Sequence, residues 1–360
     1  MSADKGTSKQ PRLKKLPAPT IRDVARLAEV SIGTASKALN KNGRLTQETR
    51  ERVMRVAREI GYRPNDLAQS LHRSKSMTVG IISNDSFGRF SFPIFEALEE
   101  RLAEQGIAVF MCNATDDPER EKQHLDQLLG KRIDGLVVTA RRADKRKPIG
   151  PFAHGLPVVY VFTHADEDRA LSLLPDDEGG AYLATRHLAQ LGRKRIAHIT
   201  GPDRFEAVRL RRNGYRRALI DAHLTASKQM ELNGAWSEEW GRNAVARLFD
   251  ANAETPDALF CGNDQIARGA AEALRERNIS IPAQVAIVGF DNWDVMVEGA
   301  RPPLTSIDMN LNALGRVAGE ELIAMIAGEK RKGLRRLPCT LVIRQSCGGG
   351  AQEHSEGDKI

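Results

Sequence analysis

Thr20–Asn40 reads TIRDVARLAEVSIGTASKALN. Thr20 stands where a helix N-cap is favoured, with Asp23 three residues on as a capping-box acid. Ile21, Val24, Ala25 and Ala28 follow at i, i+3, i+4 and i+7, one apolar face of a short helix. Glu29 and Val30 interrupt it. Ser31 is a second cap, and Ala35, Ala38 and Leu39 form a second small stripe. The stretch Asn40–Gly43 reads as a turn. Thr46 caps a third helix, in which Val53, Val56, Ala57 and Ile60 repeat the spacing, and Gly61 closes it. Three short helices with a tight turn between the first two make a helix-turn-helix, whose second helix enters the major groove. Its outward residues Ile32, Gly33, Thr34, Ser36, Lys37 and Asn40 are small or polar, which suits close approach to DNA.

Working outward, charge separates this module from the rest. Residues 1–78 hold 17 Lys and Arg against 7 Asp and Glu, a net of +10; the remainder holds 37 against 40, a net of −3. A basic module on a mildly acidic body points to a polyanionic partner for the module. The 360 residues predict two or three domains with ample core. No apolar run is long enough to cross a membrane. The polar first nineteen residues lack a secretory apolar region. Cys112, Cys261, Cys339 and Cys347 are scattered without a C-x-x-C pair, which predicts neither a metal site nor a disulfide framework. The expectation is a cytoplasmic protein.

The pattern T-I-x-D-V-A-x-x-A-x-V-S-x-x-T-x-S-x-x-L-N, followed by TQETRERV and IGYRPNDLAQSL, resembles the LacI/GalR family of bacterial transcription regulators, and the likeness extends to about Cys347. One departure is Glu29 in the turn, where the family usually has Gly. The resemblance implies base contacts from Ile32, Gly33 and Lys37. It implies phosphate contacts from Thr20, Ser31, Thr34, Ser36, Asn40 and Thr46, which orient rather than specify. Gly33 has no side chain to read with, and Lys37 can donate to guanine acceptors in the groove but lacks the fork of an Arg. By the same resemblance, Ala68 and Leu71 sit on a hinge helix that pairs with its copy, and Leu71 wedges into the minor groove.

From Met77 onward, apolar runs alternate with amphipathic helical stretches. The runs are Thr78–Ile82, Ile107–Cys112, Asp134–Thr139, Pro157–Phe162, Arg195–Thr200, Ala258–Cys261 and Val285–Phe290. Continuous apolar strands separated by helices mean parallel sheets covered on both faces. The fold class is therefore α/β. The resemblance implies a lambda-repressor-like helix-turn-helix domain before a periplasmic-binding-protein-like body of two doubly wound subdomains. The expected organisation is a disordered basic tail (1–19), the helix-turn-helix (20–64), a hinge helix and linker (65–76), the body (77–347) and a disordered tail (348–360). By the resemblance, subdomain one takes 77–175 and 308–338; subdomain two takes 176–307 and 339–347.

Ligands in such sheets sit beyond the carboxyl ends of the strands. Polar residues recur there, Asp85 among them. The resemblance singles out Arg211, Asn263 and Asp291 as hydrogen-bonding partners of an effector and Trp236 as the ring that covers its apolar face. Arg89 marks an anionic effector or faces elsewhere. Phe162 stands where some relatives carry Asp.

The function expected is a DNA-binding repressor of sugar uptake or catabolism genes, controlled by a small sugar or sugar derivative in the cleft. The alternative is a solute-binding protein without DNA function. No G-x-G-x-x-G opens a helix and no Walker loop occurs, so no enzyme and no cofactor are expected. The protein should be a homodimer on a near-palindromic operator, with the dimer contact near Phe95–Leu102 by resemblance. The Gly-rich end lacks the leucine heptad that makes some relatives tetramers.

Overall fold

A computed structural model describes residues 19–40, 43–62, 75–86, 88–149, 155–167, 170–250 and 255–349. The chain divides into two compact units, Met1–Ser76 and Met77–Ile360.

In the first unit, α1 (Ile21–Leu27), α2 (Ile32–Leu39) and α3 (Gln47–Glu59) enclose a small core of Val24, Ala25, Ala28, Ala35, Ala38, Val53 and Ala57. Each helix is started by the residue its sequence offers. The Thr20 amide and hydroxyl both donate to Asp23 (2.9 and 2.8 Å), Ser31 Oγ accepts the Thr34 amide (3.1 Å), and Thr46 Oγ1 accepts the Thr49 amide (3.3 Å). The ends of α1 and α3 share one solution. Val30 N–H donates to Ala25 O and Tyr62 N–H to Ala57 O, with a left-handed residue between helix and donor. At α3 that residue is Gly61 (φ +67°); at α1 it is Glu29 (φ +53°). A residue with a Cβ pays about 1–2 kcal/mol in this region. Glu29→Gly should stabilise the turn by about 1 kcal/mol, slowing exchange of the Val24 and Ala25 amides about five-fold. Glu29→Ala keeps the Cβ and should give no such gain; equal exchange rates in all three proteins would contradict the strain.

The second unit contains two six-stranded sheets. Its strands are β1 (Thr78–Ser83), β2 (Ala108–Asn113), β3 (Gly135–Thr139), β4 (Lys145–Arg146), β5 (Val158–Val161), β6 (His164–Ala165), β7 (Leu171–Pro175), β8 (Ile196–Thr200), β9 (Glu231–Asn233), β10 (Ala258–Cys261), β11 (Ala286–Phe290), β12 (Thr305–Asp308), β13 (Gly333–Leu337) and β14 (Thr340–Val342). The first sheet runs β13-β7-β5-β3-β1-β2, all parallel; the second runs β14-β12-β11-β10-β8-β9, parallel except at β14. β4 and β6 form a small parallel pair of their own. All seven apolar runs become strands, and every residue of β3, β5, β8, β10 and β11 is buried, as sheets covered on both faces require.

The helices that cover them are α4 (Ser91–Ala103), α5 (Pro118–Gly130), α6 (Asp177–Gln190), α7 (Glu206–Asp221), α8 (Glu238–Asp250), α9 (Asp264–Glu276), the single turn α10 (Asp294–Val297) and α11 (Leu311–Ile326). The chain passes from the first sheet to the second after β7, returns between β12 and α11, and passes again between β13 and β14. Of the packed helix pairs, α6 with α7 matters most for the cleft. A Cβ on Gly214 would stand 2.1 Å from the Glu178 carbonyl, so only glycine lets the two backbones approach this closely. That approach brings Arg211, one turn earlier on α7, onto the first turn of α6.

Candidate functional site

On the first unit, α2 turns Ala35 and Ala38 inward and leaves Ile32, Gly33 and Lys37 exposed. Ile32 is apolar and 50% exposed. A Cβ on Gly33 would meet nothing nearer than Ser31 Oγ at 3.8 Å, so packing within the unit does not demand glycine there. Ser36 Oγ accepts the Asn40 amide (3.3 Å), and Ser31 and Thr34 share a hydroxyl contact (2.9 Å). Ser31 and Thr46 serve as helix caps, and Thr20 opens α1 in its exchange with Asp23. Leu27, 49% exposed on α1, was not singled out by the sequence. Ala68 and Leu71 lie outside the described residues.

In the second unit, Arg211 is the hub. It is 5% exposed. Its Nε donates to Asp177 Oδ1 at 2.8 Å and its Nη2 lies 2.7 Å from the same oxygen. Nη1 donates to the Gly262 carbonyl and stands 3.7 Å from Asp291 Oδ1. The guanidinium lies 3.6 Å above the Phe290 ring and 5.9 Å from that of Trp236. Trp236 is half-buried, spreads over Gly201, where a Cβ would stand 2.2 Å from the indole, and stacks on Phe205 at 6.4 Å. The structure thus brings Arg211, Trp236 and Asp291 together, with Asn263 following the carbonyl that Arg211 holds.

Asp291 joins the two subdomains. Its carboxylate accepts from Arg89, whose guanidinium stacks on Trp293 (4.3 Å) and Phe90 (4.7 Å). Arg89 therefore faces the cleft and pairs with a protein carboxylate. Asp291 adopts φ +102°, a region non-glycine residues avoid and active sites over-represent. Burial raises its carboxyl against the lowering effect of Arg89 and Arg211. Behind it, burial first and the Asp291 charge second push the Asp264 carboxyl up, while Ser306 and the Trp293 amide donate to it.

Two expected effector residues are otherwise engaged. Asp85, 4% exposed, accepts from the Phe90 amide, the Ser91 amide and the Ser91 hydroxyl (2.8, 3.0 and 3.2 Å). All three bonds end on one oxygen, Oδ2, so Asp85 positions Arg89, Phe90 and the start of α4. Asn263 Oδ1 caps α9 by accepting the Ile266 amide (2.9 Å). Phe162, at φ +57°, stacks on Phe90 at 4.8 Å. A cavity of about 330 Å3 opens between Arg89, Phe90, Asp291, Trp293 and the β12–α11 connection. Arg211, Trp236, Asn263 and Asp85 lie outside its lining.

Sequence reasoning missed a second tie between the subdomains. Glu206, first residue of α7, accepts from Arg336 (2.8 Å), contacts His164 Nε2 (2.9 Å), and donates its amide to Asp144 (2.9 Å). The His164 contact, then Arg336, hold its carboxyl below the ordinary range despite burial.

A helix-turn-helix unit followed along the chain by a body of two largely parallel sheets is the architecture of a DNA-binding transcriptional regulator. Residues 20–65 match the model of bacterial regulatory proteins of the lacI family, and residues 185–347 match that of the periplasmic binding protein-like domain. The HTH-type transcriptional repressor PurR of Haemophilus influenzae (strain PittEE) is 34% identical over 91% of this chain and 98% of its own. The lac repressor dimer bound to operator and the anti-inducer ONPF superposes with a TM-score of 0.74 at 28% identity, covering 91% of this chain and 99% of that one. A complex of the regulator CelR with cellobiose gives 0.63 at 28% identity over the same shares. The chain belongs to the LacI family.

Proposed function

We propose that the protein is a cytoplasmic repressor of sugar uptake or catabolism genes, controlled by a small carbohydrate-like effector between the subdomains. The observation that carries the effector reading is the convergence of Arg211, Asp291 and Trp236 on one point. A fork of donors and a carboxylate address ring hydroxyls, and an indole covers an apolar sugar face. The cellobiose bound by CelR supports the sugar class. Asn263 Nδ2 donates to Gln265 Oε1 at 3.5 Å, which leaves its second hydrogen for the same ligand. Homodimerisation on a near-palindromic operator is supported by the lac repressor dimer and by two exposed aromatics, Phe92 (60%) and Phe110 (46%). Leu71 would supply the minor-groove wedge, with Ala68 at the hinge contact.

The test is a gel shift on genomic fragments, combined with thermal-shift screening of sugars, sugar phosphates, sugar acids and purines. A ligand at 100 times its Kd should stabilise by about 2.7 kcal/mol and change operator binding. A stabilising ligand that leaves operator binding untouched would contradict effector control, and a purine as the binding class would contradict the sugar assignment.

On the DNA side, Lys37→Ala should cost about 1–3 kcal/mol of discrimination at one base pair per half-site. Binding to sites altered at that base pair should be little changed. Competition binding over single-base operator variants reads this; uniform weakening on all variants would make Lys37 a phosphate contact instead.

A further inference from the structure

The loop after β3 reads Arg141-Arg142-Ala143-Asp144-Lys145-Arg146-Lys147, five cations in seven residues. Together with the carboxyl ends of β1 and β2 and the first turn of α5, it lines a cavity of about 410 Å3. Four carboxylates also line it, each with a partner of its own. Asp117 caps α5, accepting the Glu119 and Arg120 amides (2.9 and 3.3 Å). Glu121 pairs with Arg146 at 2.6 Å, and Asp144 accepts the Glu206 amide. Asp116 pairs with Arg141 at 3.3 Å and stands 3.9 Å from Arg142. Lys145 turns away to Asp166. Arg142 otherwise touches only the face of Phe205, at 5.2 Å, and Lys147 is exposed with no carboxylate partner among the described residues. Five cationic side chains stand against four carboxylates in a crevice at the carboxyl edge of a parallel sheet, where such folds hold ligands.

We propose that this cavity is a binding site for a small anionic group, a phosphate or a carboxylate, with Arg142 and Lys147 as its donors. Charge-assisted bonds from guanidinium and ammonium groups suit such oxygens, and Arg offers them in pairs. The site communicates with the cleft, a coupling that rests on the effector reading above. Arg142 lies on Phe205, and Phe205 stacks on Trp236; an anion that draws Arg142 away uncovers one wall of the cleft. Asp144 in the same loop holds the first residue of α7, the helix that carries Arg211. The anion is either free in solution or the terminal group of an effector whose body lies against Trp236.

Calorimetric titration of the full chain at fixed ionic strength decides this, with inorganic phosphate, glucose 6-phosphate and glucose as probes. Phosphate should bind saturably, at least tenfold more weakly to the double variant Arg142→Gln/Lys147→Gln. Both side chains are exposed, so the variant keeps its fold. Arg204→Gln, removing the other guanidinium on Phe205, should leave phosphate binding unchanged. Glucose 6-phosphate binding no tighter than phosphate supports a free anion; tighter binding that Trp236→Ala abolishes supports a terminal group. No saturable phosphate binding, or equal binding in the double variant, overturns the site. Phosphate binding that survives the double variant but is lost in Arg211→Lys would move the anion into the cleft, sinking this inference while upholding the effector reading.

Discussion

Arg211→Ala should abolish effector binding and destabilise the body by about 3–5 kcal/mol. Removing one member of a buried ion pair leaves the other charge without compensation in a medium that solvates it poorly. Asp177 is that other charge: it is 1% exposed, and one of its oxygens is held by two nitrogens of Arg211. The Gly262 carbonyl and Asp291 lose a donor in the same step. At roughly 2–4 °C per kcal/mol, the melting temperature should fall by about 10 °C. Asp177→Asn placed on Arg211→Ala should recover part of the loss, because a neutral amide costs less to bury than a carboxylate. Arg211→Lys keeps the charge but not the fork, and should fall between. Melting curves of the four proteins read the series. An Arg211→Ala melt within a degree of wild type would show that the pair is solvated, and would remove Arg211 as the centre of the cleft.

The helix-turn-helix was legible because its determinants are local. Ser31 and Thr46 lie three residues from the amides they cap, and the apolar spacings that bury Val24, Ala35 and Val53 span one or two turns. The buried central strands were legible for a similar reason: a strand covered on both faces must be apolar throughout. β13, whose sequence is GLRRL, and β14 are edge strands with half-exposed residues, so no apolar run announces them. At the cleft, family resemblance rather than spacing brought Arg211, Trp236 and Asp291 forward. Asp85 reaches amides five and six residues ahead, beyond ordinary capping distance, so spacing alone did not announce those bonds. Glu206 gave no signal at all. Its partners lie 42 and 130 residues away, and only the fold places them together.

Operator affinity should fall by about 10³–10⁵ between about 50 and 200 mM salt, with a log–log slope of about −5 to −9, if a dimer neutralises 6–10 phosphates. The whole-chain charge of +7 understates the driving field, because residues 1–78 carry +10 and the rest −3. Two copies of the basic unit side by side double the cations available. The polar residues proposed at phosphate positions, Thr20, Ser31, Thr34, Ser36, Asn40 and Thr46, are all uncharged. They release no counterions, so they fix orientation while the slope comes from Lys and Arg. Two classes of variant should therefore separate. Ser36→Ala should weaken binding at every salt concentration and leave the slope alone. Arg22→Gln removes an exposed cation in the first turn of α1 that has no carboxylate partner among the described residues. It should flatten the slope by about 1.8 if each copy neutralises one phosphate. Arg26→Gln should do less, because Asp23 already compensates that charge at 3.3 Å. Filter binding across a salt series separates these outcomes. A wild-type slope shallower than about −2, or a Ser36→Ala effect confined to the slope, would mean that the charge of the first unit is not what holds the backbone of the DNA.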